Sequence, residues 1–251
     1  MTVSAFTTLV LFGAGLAAGF VDAIGGGGGL IAVPALVWSG LPPHVALGTN
    51  KFQSSLGTTV AVWRYARAGW VEWSRVRLAV VASFGASLLG TACVSRVDPS
   101  ALRAIIPVLL LAIAGWMALQ PTLGAEPRAP RVAPRTFALG GGLLLGFYDG
   151  FFGPGTGSFW TVACVMVLGL ELRGATAYTK AANLASNVAA LLAFAALGRI
   201  AWGVGLVMIA GQIVGARLGA GLVVRRGARL IRPVFLAVVV TLALKLLLER
   251  T

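Results

Sequence analysis

Charged residues are scarce in this sequence, and acidic residues are the scarcest of them. Of 251 residues, 11% are charged and only seven are acidic, whereas 58% are hydrophobic. Because a soluble domain carries about 25% charged residues, this chain has too little polar surface to cover a water-soluble globule. The composition predicts an integral membrane protein.

Cysteine and histidine are nearly absent. Cys93 and Cys164 lie inside apolar runs without metal-ligand spacing, which disfavours a disulfide, a zinc site and thiol catalysis. His44 follows Pro42 and Pro43 without a neighbouring ligand, so we expect a structural role for it. The sequence has no nucleophile paired with a base and no Walker-type phosphate loop. We therefore predict no enzyme activity, no metal and no cofactor.

Long apolar runs fill most of the chain, and we predict an all-α protein of ten segments. The chain begins without a basic segment or a cleavage site, so we expect no signal peptide. A proline-rich and arginine-rich stretch separates five segments from the next five. We therefore divide the chain into a first membrane repeat (1–120), a cytoplasmic linker (121–135) and a second membrane repeat (136–251). The predicted segments are 5–22, 29–41, 45–65, 75–95, 101–120, 136–149, 157–170, 174–197, 202–223 and 232–248.

The two halves match each other at nearly constant spacing. Gly19 and Asp22 correspond to Gly146 and Asp149 at an offset of 127 residues. Five further pairs share an offset of 129: Ala46 with Ala175, Lys51 with Lys180, Gly69 with Gly198, Trp73 with Trp202, and Gly90 with Gly219. This pattern predicts the duplication of a five-segment unit.

The arginines predict that the second copy is inverted in the membrane. The basic loop lies between segments three and four in the first half but between segments nine and ten in the second. Basic loops face the cytoplasm, so both termini are expected outside. The net charge of +13 is therefore interpreted as a topology signal, and we predict no nucleic-acid partner.

A glycine-rich break precedes a short segment in each half. The second and seventh segments are shorter than the roughly 20 residues that cross a membrane, and whether they cross or re-enter stays open. Where a helix restarts after such a break, its free N–H groups and positive dipole end can bind an anion. Alternatively, the glycines serve only close helix packing. The candidate substrate-binding residues here are Gly26, Gly27, Gly28, Gly29, Gly153, Gly155, Thr156 and Gly157.

Two lysines lie inside apolar segments at equivalent positions. An intramembrane lysine is costly, and Lys51 and Lys180 could supply positive charge to an anion. The alternative is that both side chains extend to the membrane interface. Polar residues on the same helical faces are either further ligands or contacts between helices. These residues are Asn50, Gln53 and Ser54 in the first half and Asn183, Ser186 and Asn187 in the second.

Asp22 and Asp149 are the acids of the opening segments. Either carboxylate could couple transport to protons or bind a cation. The alternative is that each one caps free N–H groups of the adjacent glycine loop, which we favour because a fixed anion would repel an anionic ligand.

These motifs together resemble one protein family. Asp22 with the glycine run to Gly29, the stretch ALGTNK at 46–51, and GFYDGFFGPGTG at 146–157 followed by Thr179-Lys180 look like the sulfite exporter TauE/SafE family, also called the toluenesulfonate uptake permease family. The resemblance implies a bacterial inner-membrane transporter for sulfite, sulfoacetate, sulfonates or related anions. It leaves the direction of transport open.

Together these features predict a secondary transporter of small anions that works by alternating access around a midplane site. An anion channel and a membrane assembly factor without transport activity are the alternatives. The expected partners are a small anion, the lipid bilayer and a coupling ion such as the proton. The oligomeric state stays open, with a homodimer among the options.

Overall fold

The computed structural model describes residues 4–102, 105, 108, 112 and 129–226. Within these residues the chain forms helices joined by short turns, so the all-α prediction is confirmed for this part of the chain. The predicted tenth segment (232–248), nearly all of the fifth (101–120) and about half of the linker (121–135) lie outside the described residues. The complete helices are α1 (Ala5–Gly25), α2 (Gly29–Trp38), α3 (Pro43–Arg67), α4 (Trp73–Val94), α5 (Pro134–Phe151), α6 (Thr156–Met166), α7 (Leu172–Ala196) and α8 (Trp202–Arg226).

Helix length and polarity divide the helices into three groups. By length and composition, α1, α4 and α8 could each cross a membrane. Helices α3 and α7 are also long, with 25 residues each, but buried polar side chains lie along them. Helices α2 and α6 have only 10 and 11 residues, and about 15 Å of helix is half of a hydrocarbon core.

The short helices end earlier than their apolar runs. Helix α2 stops at Trp38 and α6 at Met166, whereas their runs continue to 41 and 170. Gly40 and Gly169 follow these ends with φ of 88° and 69°. This left-handed conformation, which glycine adopts freely, terminates a helix despite apolar neighbours.

Contacts between the halves occur in equivalent pairs. Helix α1 packs along α8, and its counterpart α5 packs along α4; likewise α3 packs along α8, and α7 along α4. Helices α3 and α7 also contact each other. A contact that a helix of the first half makes with the second half is therefore repeated by the equivalent helix of the second half with the first.

Helix directions follow from the order of these contacts. Gly48 approaches Phe194, and Lys51 hydrogen-bonds Asn187, seven residues earlier in α7. Further along α3, Ala61 shares a cluster with Ala177. Helices α3 and α7, which are equivalent by sequence, therefore run in opposite directions.

Glycines permit the closest helix contacts. A Cβ at Gly19 would lie 2.3 Å from the carbonyl oxygen of Gln212, and one at Gly146 would lie 2.5 Å from Cα of Ser83. Ser83 and Gln212 are themselves separated by 129 residues. Close packing is therefore the role of these helical glycines, as small residues provide in membranes.

Gly90 in α4 offers a test of this packing. A Cβ at Gly90 would lie 2.1 Å from the carbonyl oxygen of Phe147, whereas Gly85 in the same helix has nothing within 4 Å. We expect Gly90→Ala to destabilise the protein by about 1–3 kcal/mol through overpacking. Gly85→Ala should leave the stability unchanged or raise it by up to about 1 kcal/mol, because alanine favours helix. Thermal unfolding in detergent compares the two, and equal effects would refute the packing role.

Candidate functional site

The buried polar residues of α3 and α7 form the centre of the bundle. Lys51 and Lys180 are each 1% exposed, so neither side chain extends to the surface of the protein. The structure therefore differs from the alternative in which these lysines reach the membrane interface. Their positive charges must be compensated inside the protein.

Each lysine pairs with an aspartate of the other half. Lys51 Nζ lies 2.8 Å from Asp149 Oδ1, and Lys180 Nζ lies 3.0 Å from Asp22 Oδ2. The sequence singled out these four residues but did not indicate that they pair. The two ion pairs occupy equivalent positions of the sequence repeat, and both connect the first half to the second.

The two carboxylates differ in their remaining contacts. Asp22 Oδ2 also accepts a hydrogen bond from Thr58 Oγ1 at 3.4 Å, whereas Asp149 Oδ2 is buried without a hydrogen-bond partner among the described residues. Within that part of the chain, neither carboxylate accepts a hydrogen bond from a backbone N–H of the glycine loops. The structure thus places both aspartates in ion pairs and not in the capping role that the sequence favoured.

The glycine breaks meet each other at the same centre. A Cβ on Gly157 would lie 2.8 Å from Cα of Gly26, so the two backbones touch. Ser158 Oγ donates to the carbonyl of Gly25 at 3.0 Å, which ties α6 to the end of α1. Gly153 lies directly against Lys51, since a Cβ there would be 2.6 Å from Nζ.

The short helices begin at these breaks. The first α2 hydrogen bonds are donated by Leu30 and Ile31 to the carbonyls of Gly27 and Gly28. The backbone N–H groups of Gly27 and Gly29 have no backbone acceptor among the described residues. Free N–H groups and a positive helix end are therefore available beside the lysines.

A small polar cavity lies between the breaks and the ion pairs. Its volume is about 20 Å³, enough for one or two water molecules. The predicted site residues that are not on its wall are Gly26, Gly28, Gln53, Lys180 and Ser186. The wall consists of Asp22, Gly27, Gly29, Asn50, Lys51, Ser54, Asp149, Gly153, Gly155, Thr156, Gly157, Asn183 and Asn187.

Side-chain amides extend the site along α3 and α7. Lys51 Nζ donates to Asn187 Oδ1 at 3.1 Å, and Asn187 Nδ2 donates to Asn183 Oδ1 at 2.9 Å. Gln53 is turned away from the cavity and donates to Asn50 Oδ1 at 2.9 Å. The amides of Asn183 and Asn187 therefore position Lys51 at the cavity wall.

Sequence reasoning missed two buried polar residues near this centre. Thr58, four residues after Ser54 on α3, bonds Asp22, and that spacing could have identified it. Gln212 in α8 is 1% exposed and touches the Gly57 position, but an isolated glutamine in an apolar run gives no such signal.

Metal binding and a ligand role for histidine find no support at this centre. No group of three or more His, Cys, Asp or Glu side chains that could hold a metal occurs among the described residues. His44 Nε2 donates to the carbonyl oxygen of Val94 at 2.9 Å, which fixes the start of α3 to the end of α4.

Three helices long and apolar enough to cross a membrane, together with two buried ion pairs, fit an integral membrane protein. The chain belongs to the Sulfite exporter TauE/SafE family, whose model matches residues 11–246. This confirms the resemblance found in the sequence motifs.

Curated relatives match nearly the whole chain. A "Probable membrane transporter protein" of Haemophilus influenzae is 44% identical over 89% of this chain and 88% of its own length. "Probable membrane transporter protein YfcA" of Escherichia coli is 42% identical over 96% of this chain and 89% of its own length. "Probable membrane transporter protein ORF9" of a Sinorhizobium species is 42% identical over 96% and 92%. No solved structure matches the chain at a significant level.

Proposed function

We propose that this protein is a secondary transporter of small anions that works by alternating access around the central cavity. The observation that carries the proposal is Lys51, which is buried at the wall of a polar cavity between two glycine breaks. A buried cation beside free backbone N–H groups is suited to binding an anion. The names of the family and of the relatives support transport as the activity.

The proposed movement uses an inverted repeat of the five-segment unit. Its support is the opposite direction of α3 and α7 and the equivalent contacts that the two halves exchange. In such an arrangement α2 and α6 enter the site from opposite faces of the membrane, and rocking one half against the other opens the site alternately. The basic loops support a multi-pass topology with both termini outside, and the bacterial relatives support an inner-membrane location.

The proposed substrates are sulfur-containing anions such as sulfite, sulfoacetate and sulfonates. The family description supports sulfur oxyanions, and the cavity wall offers donors for several oxygens at once. These donors are the Lys51 ammonium and the backbone N–H groups of Gly27 and Gly29. Because about 20 Å³ holds only one or two water molecules, anion binding requires the two breaks to separate.

Flux measurements with purified protein in liposomes test this function. We expect saturable uptake and counterflow of at least one member of a panel of sulfite, sulfoacetate, sulfate, thiosulfate and the zwitterionic sulfonate taurine. A channel would give flux without counterflow, and an assembly factor would give no flux. If no anion of the panel is transported or shifts the thermal stability, the proposal fails.

A double variant separates transport from folding. Lys51→Met with Asp149→Asn removes both charges of one pair and leaves no unpaired ion. We expect it to fold like the wild type but to lose about 100-fold or more of the flux, since the anion loses its buried cation. Asp98→Asn, at an exposed loop carboxylate, is the matched control and should keep wild-type flux.

A further inference from the structure

We propose that Asp149 couples the anion to a proton: it neutralises Lys51 when no anion is bound, and it takes up a proton when an anion replaces it. This inference rests on the proposed transport function. It assigns the coupling ion and the residue that carries it. It also assigns different tasks to the two ion pairs of the site.

The first observation is the contact that Asp149 makes with Lys51. The two side chains are each 2% exposed, their charged atoms are 2.8 Å apart, and both residues lie on the cavity wall. A substrate anion that binds Lys51 from the cavity must compete with this carboxylate. The aspartate is thus an internal substitute for the transported anion.

The second observation separates Asp149 from Asp22. Asp22 Oδ2 is held by both Lys180 and Thr58, and Lys180 is not on the cavity wall. Asp149 Oδ1 pairs with Lys51, while Oδ2 is buried and has no hydrogen-bond partner in the described part of the chain. Both carboxylates therefore have one oxygen open to a proton, and the two pairs differ in the second bond that Thr58 gives Asp22 and in the position of the lysine. Only Lys51 lies on the cavity wall, so Asp149 is the carboxylate whose partner an anion can reach.

The groups around Asp149 make this carboxylate the acceptor of the proton. Lys51 faces it from α3, and Asp22 of α1 lies on the same cavity wall with its partner Lys180 of α7. Helix α4 contacts α5 at Ser87, Gly90 and Thr91, none of which titrates. On α5 itself the Tyr148 hydroxyl already donates to the Pro154 carbonyl. Asp149 is thus the carboxylate that loses its partner when Lys51 binds an anion.

Charge balance gives the stoichiometry. The two lysines and two aspartates sum to zero, and a bound monoanion alone would leave one negative charge in a site of low dielectric. Protonation of Asp149 at Oδ2 restores neutrality, while Lys51 stays protonated and pairs with the anion. When the anion leaves, the proton passes from Asp149 to water and the carboxylate returns to Lys51. One monoanion and one proton therefore move in the same direction.

Asp149→Asn tests the assignment because asparagine imitates the protonated acid. With an anion bound, the variant site is neutral, so exchange of labelled for unlabelled anion across the liposome membrane should stay within about 2-fold of the wild type. Without an anion, Lys51 is left unpaired, which opposes the return step. Net uptake should fall about 100-fold and no longer respond to a pH gradient.

The assay uses the panel anion with the highest wild-type flux and includes two controls. Asp149→Glu keeps the carboxylate and should retain pH-dependent net uptake. Asp98→Asn changes an exposed carboxylate and should behave as the wild type. Wild-type net uptake and pH response in Asp149→Asn would overturn the coupling role while leaving the transport function intact.

Two other outcomes are also decisive. Loss of exchange together with net uptake, in a variant that unfolds at the wild-type temperature when the anion is present, would make Asp149 a binding residue and overturn the proposal. Absence of flux for every anion in the wild-type protein would instead refute the transport function, and the coupling role with it.

Discussion

Lys51→Met is expected to destabilise the protein by about 3–5 kcal/mol, because it leaves the Asp149 carboxylate buried without its cation. The two side chains are each 2% exposed, so the carboxylate is almost entirely shielded from bulk water. Adding Asp149→Asn should recover most of the loss, since the double variant buries two neutral groups. Denaturant and thermal unfolding in detergent micelles measure all three proteins.

Comparing these proteins with a surface variant distinguishes the loss of the ion pair from the change in side-chain size. Arg77→Met also introduces methionine in place of a cation, but at an exposed position, and should change the stability by at most about 0.5 kcal/mol. A single Lys51 variant that is no less stable than the double variant would mean that the ion pair does not balance two buried charges. The structural account of the site would then be wrong.

The sequence predicted the identity of the charged residues but not their arrangement. A buried charge in an apolar run is conspicuous, so Lys51, Lys180, Asp22 and Asp149 are recognisable without a structure. Which lysine meets which aspartate depends on how the two halves pack. The sequence offset shows only which residues of the two halves are equivalent, and it does not show which ones touch. Only the structure shows that each lysine pairs with the aspartate of the other half, at distances of 2.8 and 3.0 Å.

Helix positions could be predicted more closely than helix ends. The apolar runs locate every described helix, since their length and composition reflect the membrane. The end of α6 at Met166 depends on the conformation of Gly169, which hydropathy does not report. Similarly, α1 continues to Gly25, three residues past its predicted end, because glycine is tolerated where neighbouring helices support it.

The two roles that the sequence left as alternatives for the glycine breaks concern different glycines: packing is a contact in the structure, and anion binding is our proposal. Gly26 and Gly157 bring two backbones into contact, which is a packing role. Gly27 and Gly29 lie on the cavity wall beside Lys51, where free N–H groups are useful to an anion. Sequence pattern alone could not separate these roles, because they alternate between adjacent glycines of one run.

Gly26→Ala is expected to disrupt the contact between the breaks and abolish transport. Gly26 has φ of 80°, and a Cβ there would lie 2.5 Å from the carbonyl carbon of Gly157. With ψ of 170°, Gly26 lies in a region that essentially only glycine adopts, so alanine there costs about 1–3 kcal/mol in strain. Overpacking against rigid backbone adds about 1–3 kcal/mol. Because Gly157 belongs to the cavity wall, displacing it also changes the anion site.

Gly40→Ala is the matched control for that prediction. Gly40 has φ of 88° and nothing within 4 Å of an added Cβ, so alanine there carries the strain of a positive φ, about 1–3 kcal/mol, without the crowding. Thermal unfolding in detergent should therefore separate the two variants by the overpacking contribution, and liposome flux should persist only in Gly40→Ala. Equal losses of stability and flux would show that positive φ, and not the meeting of the two breaks, makes Gly26 necessary.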